Sequence, residues 1–446
     1  MNTHHREITM HHPRTLGLAL GAALLGTASQ AAEITLMRFF GDCQNEYGSV
    51  NVAAEANGEC GIITALTNEF NATNEGGHTV TTQTADWGTY YDLLSATYQT
   101  GNVPDVSVMH ASVLPDFVSR DLLMPLDDAF AGAGVDTADF VPQALANASN
   151  DGQVFALPFD LHALLFHVNM DLMEQAGMVN EDGTPRLPTS PEEFLAMGAA
   201  FEEATGKNFV ASEAQASEGM MVRFFQSLLW QQGVDPISAD GTTANISGPE
   251  ALAAAQFISD IYAQGLADPG LDYAGAEQAF LAGDAGILIN GTWVVDSYNA
   301  QAESGEVGLK AYAVADVPAL MGTDAVWADS HMWVVPVDET RSPEEQEAAV
   351  AFLKFLNDNN FQWSRTGHLS VRQSVIDSPE FAALPHREEF ANTSQIARSL
   401  PQTQNQRAIF NAMFTEFNGM WLAGTEPQAA IDAMQSSVER ILRRNR

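Results

Sequence analysis

Between residues 34 and 109 the sequence switches repeatedly between two hydrophobic periods, and few folds accommodate that. The mostly apolar run Ile34–Phe40, ended by Gly41 and Asp42, reads as a buried first strand. Ile62, Ile63, Leu66 and Phe70 then recur at helical spacing, and His78–Thr84 carries the β-branched bias of a second strand. A further helix, about Thr89 to Gln99, leads through the turn Gly101–Asp105 into the apolar run Val106–Met109. Such alternation predicts an α/β domain with a largely parallel sheet.

Further along, Asp151 and Gly152 mark a tight turn before two more apolar runs, Val154–Pro158 and Leu164–Asn169. Ser190, Pro191 and Glu193 have the spacing of a capping box with proline in the first turn, and Ser247, Pro249 and Glu250 begin a helix that ends near Gly265. Helical apolar spacing continues over Pro343–Asn357, Gln404–Trp421 and Pro427–Arg444. A chain of 446 residues exceeds what one hydrophobic core spans, so two lobes are expected. No Gly/Ser-rich tether separates them, and short crossings must join them.

The chain carries 57 Asp plus Glu against 19 Lys plus Arg, a formal net charge of −38. Lys207, Lys310 and Lys354 are its lysines, and the acid is dispersed along the sequence. That balance argues against nucleic acid and anionic lipid surfaces as partners, and fits a secreted protein adapted to salty medium. The N-terminus has the layout of a signal peptide: Arg6 and Arg14, an apolar run Leu16–Leu25, then the small residues Ala28, Ser29, Ala31 and Ala32. The run is too short to span a bilayer. A soluble, periplasmic mature protein is therefore expected, with residues 1–31 as the leader. In an oxidising compartment the two cysteines, Cys43 and Cys60, should pair; a metal or redox role for them would need a neighbouring ligand that the sequence does not offer.

P-loop, Gly-x-Gly-x-x-Gly, His-Glu-x-x-His and Gly-x-Ser-x-Gly patterns are absent from the chain after the leader. An enzyme with dispersed catalytic carboxylates, such as a glycosidase or lyase, survives that test. What the chain does contain, in order, is Gly101–Val106, Phe117–Asp128, Asp151–Asp160, Val168–Asp171, Ala279–Gly286, Asn290–Trp293 and Thr366–Val371. This series resembles the carbohydrate-type extracellular solute-binding proteins of ABC importers, the family of maltose, trehalose and glycerol-phosphate binders. The resemblance covers essentially the whole chain after the leader.

It implies a two-lobed periplasmic-binding-protein fold of α/β class, with hinge crossings and a ligand cleft between the lobes. Residues 32–159 would form the first part of lobe I and 160–318 the first part of lobe II. Residues 319–375 would return to lobe I, and 376–446 would supply C-terminal helices to lobe II. Crossings are placed near Phe159–Asp160, near Val317–Pro318 and after Val371. A receptor of this kind is no enzyme and needs no cofactor; it is expected as a monomer that hands a sugar-like solute to membrane permease subunits, with a non-sugar solute as the alternative on the same fold.

A sugar site needs an aromatic platform and side chains that donate and accept. Trp293, after Asn290-Gly-Thr, matches the family's stacking tryptophan, with a core role as the alternative. Asp42 ends the first strand and is either a loop contact or a solvated turn residue. His110 and Ser112 follow a strand that would end at the cleft, and Asp160 and His162 flank the first crossing. Trp327, Asp329 and His331 precede the apolar strand Met332–Val335, while Arg372 would grip a hydroxyl or acidic group or pair with a surface carboxylate. Four histidines, His110, His162, His167 and His331, lack the close spacing of a helical ligand pair, so no metal site is expected.

With so many like charges, salt should stabilise the fold. The screening length falls from about 10 Å at 0.1 M to about 3 Å at 1 M. The melting temperature is therefore expected to rise across a sodium chloride series followed by circular dichroism, and a flat or falling curve would contradict it.

Overall fold

The computed structural model describes residues 1, 3, 31–215 and 219–445. Most of the expected leader, residues 1–31, lies outside the described residues. Thirteen strands occur among them. The first three are β1 (Glu33–Arg38), β2 (Thr79–Thr84) and β3 (Val106–His110). The hairpin β4 (Ser149–Asn150) and β5 (Gln153–Val154) precedes β6 (Ala156–Pro158), β7 (His162–Asn169), β8 (Asn208–Ala211) and β9 (Ala285–Gly291). Then follow β10 (Tyr312–Asp316), β11 (Val326–Asp329), β12 (His331–Val334) and β13 (Ala397–Arg398).

These strands form two main sheets, each with its own hydrophobic core. The first sheet has the order β2-β1-β3-β12-β6. Its strands β1, β2 and β3 run parallel, as the alternating periods predict, because helices Gly58–Thr73 and Trp87–Thr100 carry the chain back between them. The second sheet has the order β13-β11-β7-β9-β8, with β10 also paired to β7. Here β7 runs antiparallel to β9, β10 and β11, while β8 pairs in parallel with β9 and β11 with β13, so this sheet is mixed. The reason lies in β7, buried along its whole length. It enters directly from β6 across the lobe boundary, with no intervening helix to fix a parallel return.

Helix starts follow the sequence signals. Pro191–Thr205 begins after Ser190, whose hydroxyl accepts from Glu193 N at 3.1 Å, but the Glu193 carboxylate bonds Thr189 and leaves the box unclosed. Pro343–Asp358 does have a complete capping box between Ser342 and Glu345. The helix Met220–Gln231 is buried at every residue, Arg223 and Gln226 included. Among the described residues no helix is long and apolar enough to cross a membrane.

Three segments cross between the lobes side by side. At the first, Phe159–Leu161, Phe159 N donates to His331 O at 3.0 Å, and Leu161 packs against the cores of both lobes. The second is Asp329–His331, where β11 of one sheet becomes β12 of the other. The expected crossing at Val317–Pro318 is thus displaced: β10 and β11 both pair with β7, and the chain enters the first sheet only at His331. Residues 319–329 accordingly belong with the second sheet. The third strap runs through Leu369, whose N–H and C=O both bond Leu161 at 2.9 Å. The late helices Gln406–Leu422 and Pro427–Leu442 pack into the second core.

Cys43 and Cys60 form a disulfide with a Cα–Cα distance of 5.9 Å, fastening the turn after β1 to the helix Gly58–Thr73. Replacing both by serine is expected to lower unfolding stability by about 3 kcal/mol, the closure entropy of a loop this long. Urea unfolding of the oxidised protein beside the double variant measures it.

Candidate functional site

The lobes face each other across two adjoining cavities. One is lined from the first lobe by Trp87, Tyr91, His110 and Ser112, and from the second by Arg223, Gln226, Trp327, Asp329, Gln406 and Arg407. The other lies between Phe39, Glu59, His110 and His331 on one side and His162, Arg223, Tyr273, Trp293 and Trp327 on the other. Trp87, His110, Arg223 and Trp327 line both, so the two form one continuous groove between the lobes.

The groove's walls are aromatic and its polar groups are held in place. The Arg223 guanidinium lies 4.5 Å from the Trp327 ring and 5.7 Å from Trp87, and that of Arg407 lies 4.2 Å from Trp87. Indole faces attract such cations, so Trp87 of one lobe draws two arginines of the other. Trp293 is half-buried, and its Nε1 donates to the Tyr273 hydroxyl at 2.8 Å. Ser112 Oγ donates to Asp329 Oδ2 at 2.5 Å, joining the end of β3 to the second crossing. Burial raises the Asp329 carboxyl above the usual carboxylate range even though Ser112 and two backbone N–H groups donate to it. Contacts between the lobes also occur beyond the groove, where Gly58 N donates to Asp296 Oδ2 at 2.9 Å and Gln402 Nε2 to Asn147 O at 2.6 Å.

Beneath the groove the three crossings converge on Asp160. Its Oδ1 accepts from His162 Nδ1 at 3.1 Å and His331 N at 2.9 Å; its Oδ2 accepts from His331 Nδ1 at 2.8 Å and Trp363 Nε1 at 2.7 Å. His368 Nδ1 stands 3.8 Å from Oδ2, and its Nε2 bonds Glu59 Oε1 at 2.7 Å. Gly367 fixes that strap: its φ is +117°, and a Cβ there would lie 2.1 Å from Thr292 O, so the backbone approaches too closely for any side chain. Trp363 stacks on the His368 ring at 5.2 Å.

The charges sort accordingly. Burial alone would lower the His331 pKa, but the Asp160 carboxylate against its ring outweighs burial and raises it. Burial would raise the Asp160 pKa, but His331 and His368 hold it well below the carboxylate range. His162 is pushed down to about 3 by burial and by His331, and is neutral. His110 falls well below the histidine range for the same reasons; its Nδ1 bonds the Tyr91 hydroxyl at 2.6 Å and its ring stacks on Phe39.

Of the residues expected from sequence, His110, Ser112, His162, Trp293, Trp327, Asp329 and His331 line the groove, and Asp160 lies directly beneath it. Two lie elsewhere. Asp42 is exposed and accepts from Gln44 N, a local turn bond. Arg372 bonds Asp139 Oδ2 at 2.8 Å and Asn357 O at 2.5 Å within the first lobe, which holds its fork away from the groove. His167 is also apart, between the Tyr312 hydroxyl and Gly291 O. The sequence reading missed Trp87, Arg223, Gln226, Arg407, Glu59 and His368. The signal for Arg223 and Gln226 was present: polar residues one helical turn apart inside a mostly apolar helix need a buried purpose.

Two α/β lobes, three crossings and a groove between them define a clamp-type binding protein. The chain belongs to the bacterial extracellular solute-binding protein family, whose model matches residues 65–389. A binding protein of Brucella abortus is 25% identical over 387 residues, 84% of this chain and 88% of that protein. The lactose-binding protein of Rhizobium radiobacter is 23% identical over 209 residues, covering 46% of each chain. Among solved structures, the GacH receptor of Streptomyces glaucescens superposes with a TM-score of 0.78 at 19% identity, over 93% of this chain and 100% of that one. Maltose-bound MalE3 of T. maritima gives 0.77 at 20% identity, over 92% and 100%.

Replacing Asp160 by alanine should be the most damaging single change in this region. It leaves the ring of His331, its backbone N–H and Trp363 Nε1 without their acceptor in a buried site. Breaking a buried charge pair by removing one partner costs about 3–5 kcal/mol. Urea unfolding of Asp160→Ala should show that loss, and one below about 1 kcal/mol would mean that water replaces the carboxylate.

Proposed function

We propose that this chain is the solute receptor of an ABC importer and that its groove captures a sugar or sugar-like polyol. The observation that carries this reading is the groove's composition. The indoles of Trp87, Trp293 and Trp327 offer flat apolar faces for the C–H surface of a sugar ring, while Ser112, Gln226, Asp329 and Gln406 offer donors and acceptors for its hydroxyls. The relatives support it, since GacH was solved with acarbose, MalE3 with maltose, and a solute-binding protein of Thermotoga lettingae with α-D-tagatose. Lobes that approach around a solute bury it and reshape the outer surface, which is how a permease distinguishes loaded from empty receptor. We place the receptor in the periplasm as a monomer, in keeping with the extracellular family and the leader-like N-terminus.

A receptor binds without converting. A thermal-shift screen over a carbohydrate panel should find a sugar that stabilises the chain, by about 2.7 kcal/mol at a hundredfold excess over Kd, with the sugar recovered unchanged. Recovery of a product would turn the reading towards an enzyme.

Trp293→Ala tests the platform. The ring lines the open groove, so truncation should leave the melt of the free protein nearly unchanged and weaken binding of the best panel sugar by about 2 kcal/mol, about thirtyfold. Calorimetry reads the affinity. Unchanged affinity in a stable variant would remove Trp293 from the site and leave Trp87 and Trp327 as the platform.

A further inference from the structure

We propose that Asp160, His162, His331 and His368 form a binding site for a zinc-like divalent transition-metal ion, which ties the three inter-lobe crossings together beneath the solute groove. Four ligand atoms, one from each residue, lie within 4.8 Å of one another, and all four residues are buried. Three nitrogens and one carboxylate oxygen suit zinc, which takes four such ligands in a tetrahedron at structural sites.

The distances fit that geometry. A tetrahedron with bonds of about 2.0–2.1 Å has edges of about 3.3–3.4 Å. Asp160 Oδ2 lies 2.8 Å from His331 Nδ1 and 3.8 Å from His368 Nδ1, straddling that value, and its Oδ1 lies 3.1 Å from His162 Nδ1, so the one carboxylate faces all three rings. Each ring would bind through Nδ1 with its proton on Nε2, so the ion would displace the protons through which His162 and His331 Nδ1 donate to Asp160.

The surrounding groups already do what outer partners of a metal ligand do. Glu59 accepts from His368 Nε2 at 2.7 Å, which leaves Nδ1 of that ring as an acceptor, 3.4 Å from the Thr292 hydroxyl and 3.8 Å from Asp160 Oδ2. Trp363 Nε1 and His331 N fix the Asp160 carboxylate. Charge balances as well, since a dication offsets the two carboxylates, Asp160 and Glu59. An entry path exists because His162 and His331 line the groove above. Each crossing supplies at least one ligand: Asp160 and His162 bound the first, His331 ends the second, and His368 lies on the third.

Calorimetric titration of the chelator-stripped full-length chain with zinc chloride tests this, beside a cobalt(II) titration followed by visible absorption. The chain should take up one ion at this site, with the intense absorption of a tetrahedral cobalt centre, and its melting temperature should rise. His162→Ala/His368→Ala should lose that binding by at least about a hundredfold. It retains His4, His5, His11 and His12, so uptake by those residues is a constant background. Should the double variant fold poorly by circular dichroism, Glu59→Gln serves in its place. As an outer partner it should weaken binding by about 10–100-fold while leaving the four ligands in place. Equal zinc affinity in the wild type and a folded double variant, equal affinity in Glu59→Gln, or a cobalt spectrum of octahedral type would each overturn the proposal.

Discussion

The buried carboxylate of Asp160 is the point on which the two-lobed arrangement depends. A lone ionised carboxylate in a protein interior is strongly disfavoured, so the chain must surround it with donors. It does so with residues far apart in sequence: His162 from the start of β7, His331 from the start of β12 and Trp363 from the short helix Asn360–Ser364. Because those donors sit on different crossings, satisfying one carboxylate sets the spacing of the hinge. Leu161 beside it contacts both cores, so apolar packing and polar satisfaction meet at the same residue pair.

Above that hinge the groove inverts the character of the molecular surface. A chain with a net charge of −38 places Arg223 and Arg407 between its lobes and rests both against aromatic rings. Guanidinium groups are weakly hydrated and planar, so they tolerate such a wall where lysine would not. Arg223 comes from a helix with no exposed residue, which fixes its side chain before any solute arrives. Polar groups positioned in advance reduce the ordering cost of capture.

Much of this was readable in the residues, and the failures have physical causes. Strands β1, β2 and β3 and the helices between them follow from the residues alone, because short apolar or β-branched runs alternate with helical spacing around one core. His110 could be placed at the groove because it ends a strand, where α/β folds bind ligands, His162 because it flanks the first crossing, and Trp293 through the resemblance of Asn290–Trp293 to the family. The crossing at Asp329–His331 was misplaced because Asp329, Ser330 and His331 read as polar residues ahead of the strand Met332–Val335, with no glycine or proline to mark a passage between sheets. His368 was missed for a related reason: its partners, Asp160 and Glu59, lie more than 200 residues away, and spacing rules detect only ligands that share an element. Arg372 was misassigned because sequence shows the fork but not Asp139, which occupies it.

The position of β12 also bears on how the chain reaches this state. In the first sheet, β6 touches the rest only through β12, and β12 in turn separates it from β3. The sheet of the first lobe therefore cannot close until Val334 has been made, although most of its strands are complete by His110. Closing a loop of that length is slow, because chain entropy must be overcome before the distant pairing returns any energy. During synthesis the N-terminal strands would wait with an open edge, which favours a chain still unfolded while its later residues emerge.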